Sequence, residues 1–442
     1  KVSINSPRDA YDLGIGMIHQ HFKLVDVLSA AENIVLGLKD KRKYNIKAAN
    51  EKIKEICDKY GFDVDPGQKI YDMSVSQKQT VEIVKVIFRG ADILILDEPT
   101  AVLTPQETER LFDVLRNMRE DGKSIIIITH KLNEVMELSD RVAILRKGQY
   151  ICDYKTSETN TQQLTDAMVG HSVSLNIKRP VPKDTRDKIQ IKNLTIRNHD
   201  GVEKIKNVSF TARTGEILGI AGISGNGQKE LLEAIAGLQK VESGNITYIE
   251  DDGTAKELVG MDPKKISDMG ITLSFVPEDR LGMGLVGNMN LADNMMLRSF
   301  RHGRGLFTDR KSPFELAEHV VEDLEVKTPS IRTAVRKLSG GNVQKVLVGR
   351  EIAAAPTVLM TAYAVRGLDI NSSYLIYDLV NKQKERGVAV IYVGEDLDVL
   401  LELCDRILVL CDGQVSGILE GPKADKQEVG LMMTKLGGKD NE

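Results

Sequence analysis

The sequence predicts an α/β protein made of two tandem domains, each a mainly parallel sheet flanked by helices. Three observations predict it. The chain has 442 residues, too many for one ordinary domain. Short apolar runs alternate with charged helical stretches. "DILIL", "PQETERLFDVLRNMREDG" and "KSIIIIT" read as strand, helix, strand, and "TVLMT", "SSYLIYDLVNKQKERG" and "VAVIYV" read the same way. Such alternation indicates βαβ units around a parallel sheet buried on both faces. Finally, the chain repeats itself. A shift of 265 positions, the distance from Met73 to Leu338, lays "MSVSQKQ" on "LSGGNVQ" and "ADILILDEPTAVLT" on "PTVLMTAYAVRGLD". The same shift lays "SDRVAILRKGQ" on "CDRILVLCDGQ" without a gap. Upstream the copies keep order but not register: "GIGMIHQHFKL" answers "GITLSFVPEDR", and "AAENIVLG" answers "LADNMMLR".

The expected boundaries are a first domain over 1–170, a polar, proline-bearing linker over 171–187 and a second domain over 188–442. Hydrophobic residues make up 41% and charged residues 28% of the chain, a globular balance. The net charge of −4 with dispersed Lys and Arg argues against a nucleic-acid partner read through a broad basic surface. No apolar run is long enough to span a bilayer, and residues 1–20 do not read as a signal peptide. Cys57, Cys152, Cys404 and Cys411 form no CxxC pair and read as reduced thiols of a cytosolic protein.

In the first copy, Asp97 and Glu98 stand just past an apolar strand. Ligands of open parallel sheets sit at the carboxyl ends of the strands. An acid there holds magnesium, and the next acid orients an attacking water. The competing reading is a strand running into a polar turn. His130 closes a second strand, "SIIIITHK", where it reaches a transferring phosphate or is simply structural. Gln20 in "MIHQHF" follows a third apolar rise and brings its amide to the metal or the water. Three polar residues at three strand ends favour phosphoryl transfer over a purely structural arrangement.

The second copy carries "KLSGGNVQKVLVGREIA". Ser339, Gly340, Gly341 and Asn342 open a helix whose first-turn N–H groups form an anion site, unless Ser339 simply caps it. The matched Ser74 is followed by Val75 and Ser76, so the first copy should grip phosphate less well. "ILGIAGISGNGQKELLEAIAGL" then places Gly222, Ser224, Gly225, Asn226 and Gly227 in a phosphate-cradling loop. Gln228 replaces the expected lysine and Lys229 the expected hydroxyl. Gly222 precedes Glu278, the Gln20 counterpart, by 56 residues, whereas only 19 residues precede Gln20. The corresponding loop of the first copy is therefore expected before residue 1.

"LSGGN", "ILILDEPT", "IIIITH" and the Gln20 segment resemble the signature, Walker B, switch-histidine and Q-loop elements of ATP-binding cassette (ABC) transporter ATPases. The tandem form resembles the fused ATPase subunit of bacterial sugar and nucleoside importers, and "PTAVLTPQE" with "MIHQHFKLV" leans to the nucleoside branch. The resemblance implies two ABC-type nucleotide-binding domains, each with a helical subdomain, the first lacking its N-terminal part. It implies ATP and Mg²⁺ as cofactors. Glu98, His130 and Gln20 are the implied catalytic residues, with Asp97 and Gln20 at the metal. Ser339 to Asn342 would complete that site, and Gly222 to Lys229 would face Ser74 in a degenerate one. There Ala362, Tyr363 and Glu395 replace the metal acid, the catalytic glutamate and the histidine, with Glu395 repelling a γ-phosphate. Asp369 matches the D-loop aspartate.

The implied partners are transmembrane permease subunits and, indirectly, an extracytoplasmic substrate-binding protein, with no nucleic acid. The implied place is the cytoplasmic face of the membrane. Two alternatives stand beside this reading: a soluble tandem cassette of the translation or repair type, and a regulatory protein that does not hydrolyse ATP.

Overall fold

The structure, a computed structural model, describes residues 2–19, 22–38, 45–101, 103–146, 148–170, 177–198, 201–223, 225–300 and 308–435. It divides into two compact units, spanning 1–172 and 173–442. Of the expected linker, residues 171–176 lie outside the described part. From Ile177 onward the chain is fastened to the second unit. Ile177 is buried in that unit's core. Arg179 donates to the carbonyls of Leu401 and Cys404 at 2.7 and 3.2 Å, and Asn381 donates to the Lys178 carbonyl at 2.5 Å.

In the first unit, β1 (Ile15–Ile18), β2 (Ile93–Asp97) and β3 (Ser124–Ile128) form a parallel sheet in the order β1-β2-β3. β4 (Arg141–Arg146) and β5 (Gln149–Lys155) form a separate antiparallel pair. The second unit has a four-stranded antiparallel sheet of β6 (Asp187–Arg197), β7 (Glu203–Arg213), β9 (Ser243–Ile249) and β10 (Ala255–Glu257). Its central sheet contains β8 (Ile217–Gly222), β11 (Leu273–Val276), β12 (Val358–Ala362), β13 (Ala389–Val393), β14 (Arg406–Cys411) and β15 (Gln414–Glu420). The order is β11-β12-β13-β8-β14-β15, parallel except for β15. β12 and β13 are buried at every position, as near-continuous apolar runs between two layers require. β3, paired only with β2 among the described residues, leaves Ile126 and Ile128 half exposed.

Ladder register superposes the two units. Leu96 faces Ile18 in one and Thr361 faces Val276 in the other, so β1, β2 and β3 correspond to β11, β12 and β13. Beside each sheet lies a helical layer. Ile34, Ile53, Val81 and Val84 pack together in the first unit, and Leu291, Met295, Val320, Val343 and Leu347 in the second. A buried asparagine clamps the segment after β1 and after β11. Asn33 accepts from the Val25 N–H at 2.7 Å and donates to its carbonyl at 3.1 Å; Asn294 does the same to Val286 at 2.8 and 3.1 Å. The two side chains satisfy main-chain groups that would otherwise be desolvated without partners.

Lys384, 2% exposed, binds Asp405 at 2.7 Å and the Pro180 carbonyl. Lys384→Met leaves the Asp405 carboxylate buried without its cation. The expected loss is about 3–5 kcal/mol of stability, measured by urea unfolding of the second unit.

Candidate functional site

β2 delivers Asp97 as its last residue, and the chain then turns sharply at Glu98. Glu98 has φ 46°, in the left-handed region that costs a side-chain-bearing residue roughly 1–2 kcal/mol. Its N–H donates to the Ile128 carbonyl at 2.8 Å, fastening the kink to the end of β3. Tyr363, at the matched position after β12, has φ 53° and donates from its N–H to Val393 at 2.9 Å. The backbone device is therefore present in both units while the side chain differs. Strain of this kind persists only where the surrounding structure enforces it, and it marks functional turns.

In the first unit the kink brings two of the expected groups together. His130 Nδ1 lies 3.1 Å from Glu98 Oε1. The sequence suggested each as a separate strand-end group and did not indicate their pairing. The turn is buttressed from below. Gln79 donates to the Pro99 carbonyl at 2.5 Å, and Thr100 donates to Glu134 at 2.6 Å. Lys131 reaches the Thr100 carbonyl at 3.1 Å. Gln20 lies outside the described residues. Asp97 and Glu98 offer adjacent hard carboxylate oxygens at a strand end, a donor set that suits magnesium. The corresponding residues of the second unit, Ala362 and Tyr363, offer none. The Tyr363 phenol is pushed up to about 12, first by burial and then by the Glu278 and Glu395 carboxylates.

Glu395, expected to repel a γ-phosphate, is paired with a cation in the structure. Arg366 Nε lies 2.9 Å from Glu395 Oε1, and the same guanidinium pairs through Nη1 with Glu278. One cation thus gathers the groups standing where Gln20 and His130 stand in the first unit. Arg366 occupies the position of Ala101, and no local motif in the sequence announced its role.

The two serine-led helices differ. Ser74 caps Val75–Phe88 with a reciprocal box: its Oγ accepts from the Gln77 N–H at 3.2 Å, and Gln77 accepts from the Ser74 N–H at 2.9 Å. Ser339 makes no side-chain cap on Gly340–Ala353. Its Oγ instead accepts from Asn342 Nδ2 at 2.8 Å, while Asn342 Oδ1 accepts from the Lys327 N–H at 2.8 Å. The Ser339 hydroxyl is therefore engaged by the Asn342 side chain, and it does not cap the first-turn N–H groups. Such a helix start suits an anion.

The glycine loop lies between β8 and the Gln228–Ile235 helix. Gly225 and Gly227 have φ 94° and 97°, and a Cβ on Gly227 would stand 2.3 Å from the Lys204 carbonyl. Only glycine fits there. Ser224 lies outside the described residues. Gln228, 2% exposed, turns inward and donates to the Ile223 carbonyl at 3.2 Å; a Cβ on Gly222 would stand 2.5 Å from its amide nitrogen. Asn226 reaches the Leu410 carbonyl at 3.4 Å. Lys229 lies on the surface, 3.8 Å from Glu233. The cradle fits a phosphate in its backbone, but its charge is displaced outward.

A glycine loop that opens a helix from a central parallel strand in the second unit, and a parallel strand ending in acids in the first, are both features of ABC nucleotide-binding domains. The ABC transporter family model matches residues 2–101 and 205–361. The chain is 40% identical to the nucleoside import ATP-binding protein NupA of Lactococcus lactis subsp. cremoris, across 100% of this chain and 86% of that protein. It is 39% identical to the guanosine import ATP-binding protein NupO of Bacillus subtilis (98% and 84%), and 36% identical to a ribose import ATP-binding protein RbsA of Lactococcus lactis subsp. lactis (98% and 86%). The chain belongs to the ABC transporter family, as an ATPase subunit with two cassettes in tandem.

The contrast between the serines gives a direct test. Ser74→Ala removes a true cap and should lower stability by about 1 kcal/mol, whereas Ser339→Ala should change it by less than half as much; paired thermal melts measure both.

Proposed function

We propose that the chain is the ATP-hydrolysing subunit of a membrane importer for nucleosides or simple sugars, with one competent and one lapsed set of catalytic groups. One observation carries this reading: the same kinked strand end bears Asp97 and Glu98 in the first unit and Ala362 and Tyr363 in the second. Asp97 would hold Mg²⁺, which neutralises phosphate charge when bound. Glu98 accepts a proton from the attacking water, and His130 holds the Glu98 carboxylate in place through Nδ1. Gln20 belongs to the same set by its place after β1. The helix start at Ser339, Gly340, Gly341 and Asn342 gives N–H donors and a hydroxyl engaged by Asn342 to a phosphate. The loop Gly222–Lys229 cradles a second nucleotide without hydrolysing it.

The importer assignment draws on the relatives, whose names give nucleosides, guanosine and ribose. The nucleoside branch is favoured by the higher identity to NupA and NupO. Permease subunits are the expected membrane partners, and a substrate-binding protein would deliver cargo from outside. Both units expose large apolar side chains just after a matched strand: Val25 and Val27 after β1, and Leu281, Met283, Val286 and Met289 after β11. The asparagine clamps hold these segments, so each is a firm apolar surface suited to a permease segment. Among the described residues no helix is long and apolar enough to cross a membrane. The proposed location is the cytoplasmic face of the membrane.

In the full-length protein with its permease, Glu98→Gln should lower the ATPase rate by about 10²–10⁴-fold, the usual contribution of a positioned general base. Tyr363→Phe should leave it within about twofold of the wild type, because a phenol held protonated takes no part as a base. Phosphate release assays on both variants check the assignment, and equal rates for wild type and Glu98→Gln would overturn it.

A further inference from the structure

A second arginine forms a link that the hydrolytic chemistry does not require. Arg280 follows β11, and its half-buried guanidinium is received by two main-chain carbonyls. Nη1 donates to Gly340 at 3.2 Å, and Nη2 donates to Arg366. The first carbonyl belongs to the opening residue of the Gly340–Ala353 helix. The second belongs to the turn after β12, whose Arg366 side chain gathers Glu278 and Glu395. One guanidinium therefore ties the helix start to the turn that carries the lapsed groups.

Two further observations single out this tie. In the first unit, Gln79 joins the Val75–Phe88 helix to the turn after β2 through the Pro99 carbonyl. The matched Gln344 is 1% exposed, and neither its amide nitrogen nor its oxygen has a partner among the described residues. The glutamine tie of the first unit is thus lost in the second, and Arg280 makes a replacement on the surface side. A Cβ on Gly340 would stand 3.1 Å from Arg280 Nη1, so the arginine packs into the space that the glycine leaves. By ladder register the residue matching Arg280 is Phe22, and the residue matching Gly340 is Val75. Arginine with glycine in one unit stands against phenylalanine with valine in the other.

We propose that Arg280 is a positioning residue that sets the Ser339–Asn342 helix start against the Tyr363–Leu368 turn, so that the lapsed strand end governs the placement of a phosphate-binding helix tip. The mechanism is geometric. A planar guanidinium bonded to two carbonyls fixes their separation, and carbonyls bonded to a cation are held more firmly than those bonded to neutral donors. Movement of the turn is then transmitted to the helix tip. The inference rests on the proposed function for its consequence in catalysis, but the tie itself stands on the geometry of the second unit alone.

The test uses the full-length protein and two readouts. Hydrogen exchange at the helix-bonded amides of Val343, Gln344 and Lys345, in the turn that opens at Gly340, reads the tie without ATP. Arg280→Ala should speed it about tenfold, the change expected on losing a charge-assisted hydrogen bond. Arg280→Lys, which keeps the charge but not the fork, should fall between. Arg366→Ala should speed exchange at the same amides, because it releases the turn. The second readout is the KM for ATP, which should rise in Arg280→Ala with kcat changed by less than twofold. Gly340→Ala should raise KM more in the wild-type background than in Arg280→Ala, where its methyl no longer crowds the guanidinium 3.1 Å away. Unchanged exchange at the tip in both Arg280 variants, or equal effects of Gly340→Ala in both backgrounds, would overturn the proposal. A Glu98→Gln variant with undiminished ATPase would instead overturn the proposed function, and the exchange result would still judge the tie.

Discussion

The hydrogen bond from the residue after the second strand to the end of the third is the constraint on which the site depends. Glu98 to Ile128 and Tyr363 to Val393 are the same bond in two units. It pulls the chain into the left-handed region and lifts the next turn over the sheet edge. The residue at the kink is thereby aimed at the strand ends whatever its chemistry. A carboxylate there meets His130; a tyrosine there is shut in beside Arg366 and two glutamates. The two units preserve the device that aims a side chain and differ in what it aims.

The surrounding packing follows the same division. Unsatisfied main-chain groups near the sheet edge have to be met in both units, and the same solution persists where the same side chain is kept. Asn33 and Asn294 clamp equivalent segments with nearly equal distances. Elsewhere the two units part. Gln79 bonds a carbonyl that its counterpart Gln344 does not reach. Ser74 closes its helix with a capping box, whereas Ser339 is engaged by Asn342.

Much of this was legible in the sequence because it repeats in one dimension. The internal shift from Met73 to Leu338 exposed the tandem units, and apolar runs such as "ILILD" and "VAVIYV" marked strands buried in parallel sheets. Acids and glycines at strand ends stood out for the same reason: their spacing is local. The pairing of His130 with Glu98 was not legible, since it joins the ends of two strands separated by a helix. The Arg366 cluster was invisible for a stronger reason. Arg366, Glu278 and Glu395 lie on three different loops, and charges that far apart in sequence read as ordinary solvated positions. The choice between Ser339 as cap and Ser339 as donor was open because it depends on Asn342, a residue of the same motif whose rotamer sequence does not fix.

The inward-turned Gln228 carries one more consequence. A lysine in that position would place a full charge among carbonyls and would call for phosphate to neutralise it. The neutral amide braces the loop from within through the Ile223 carbonyl. The loop is thus braced by a contact of its own rather than by a charge awaiting its counter-ion.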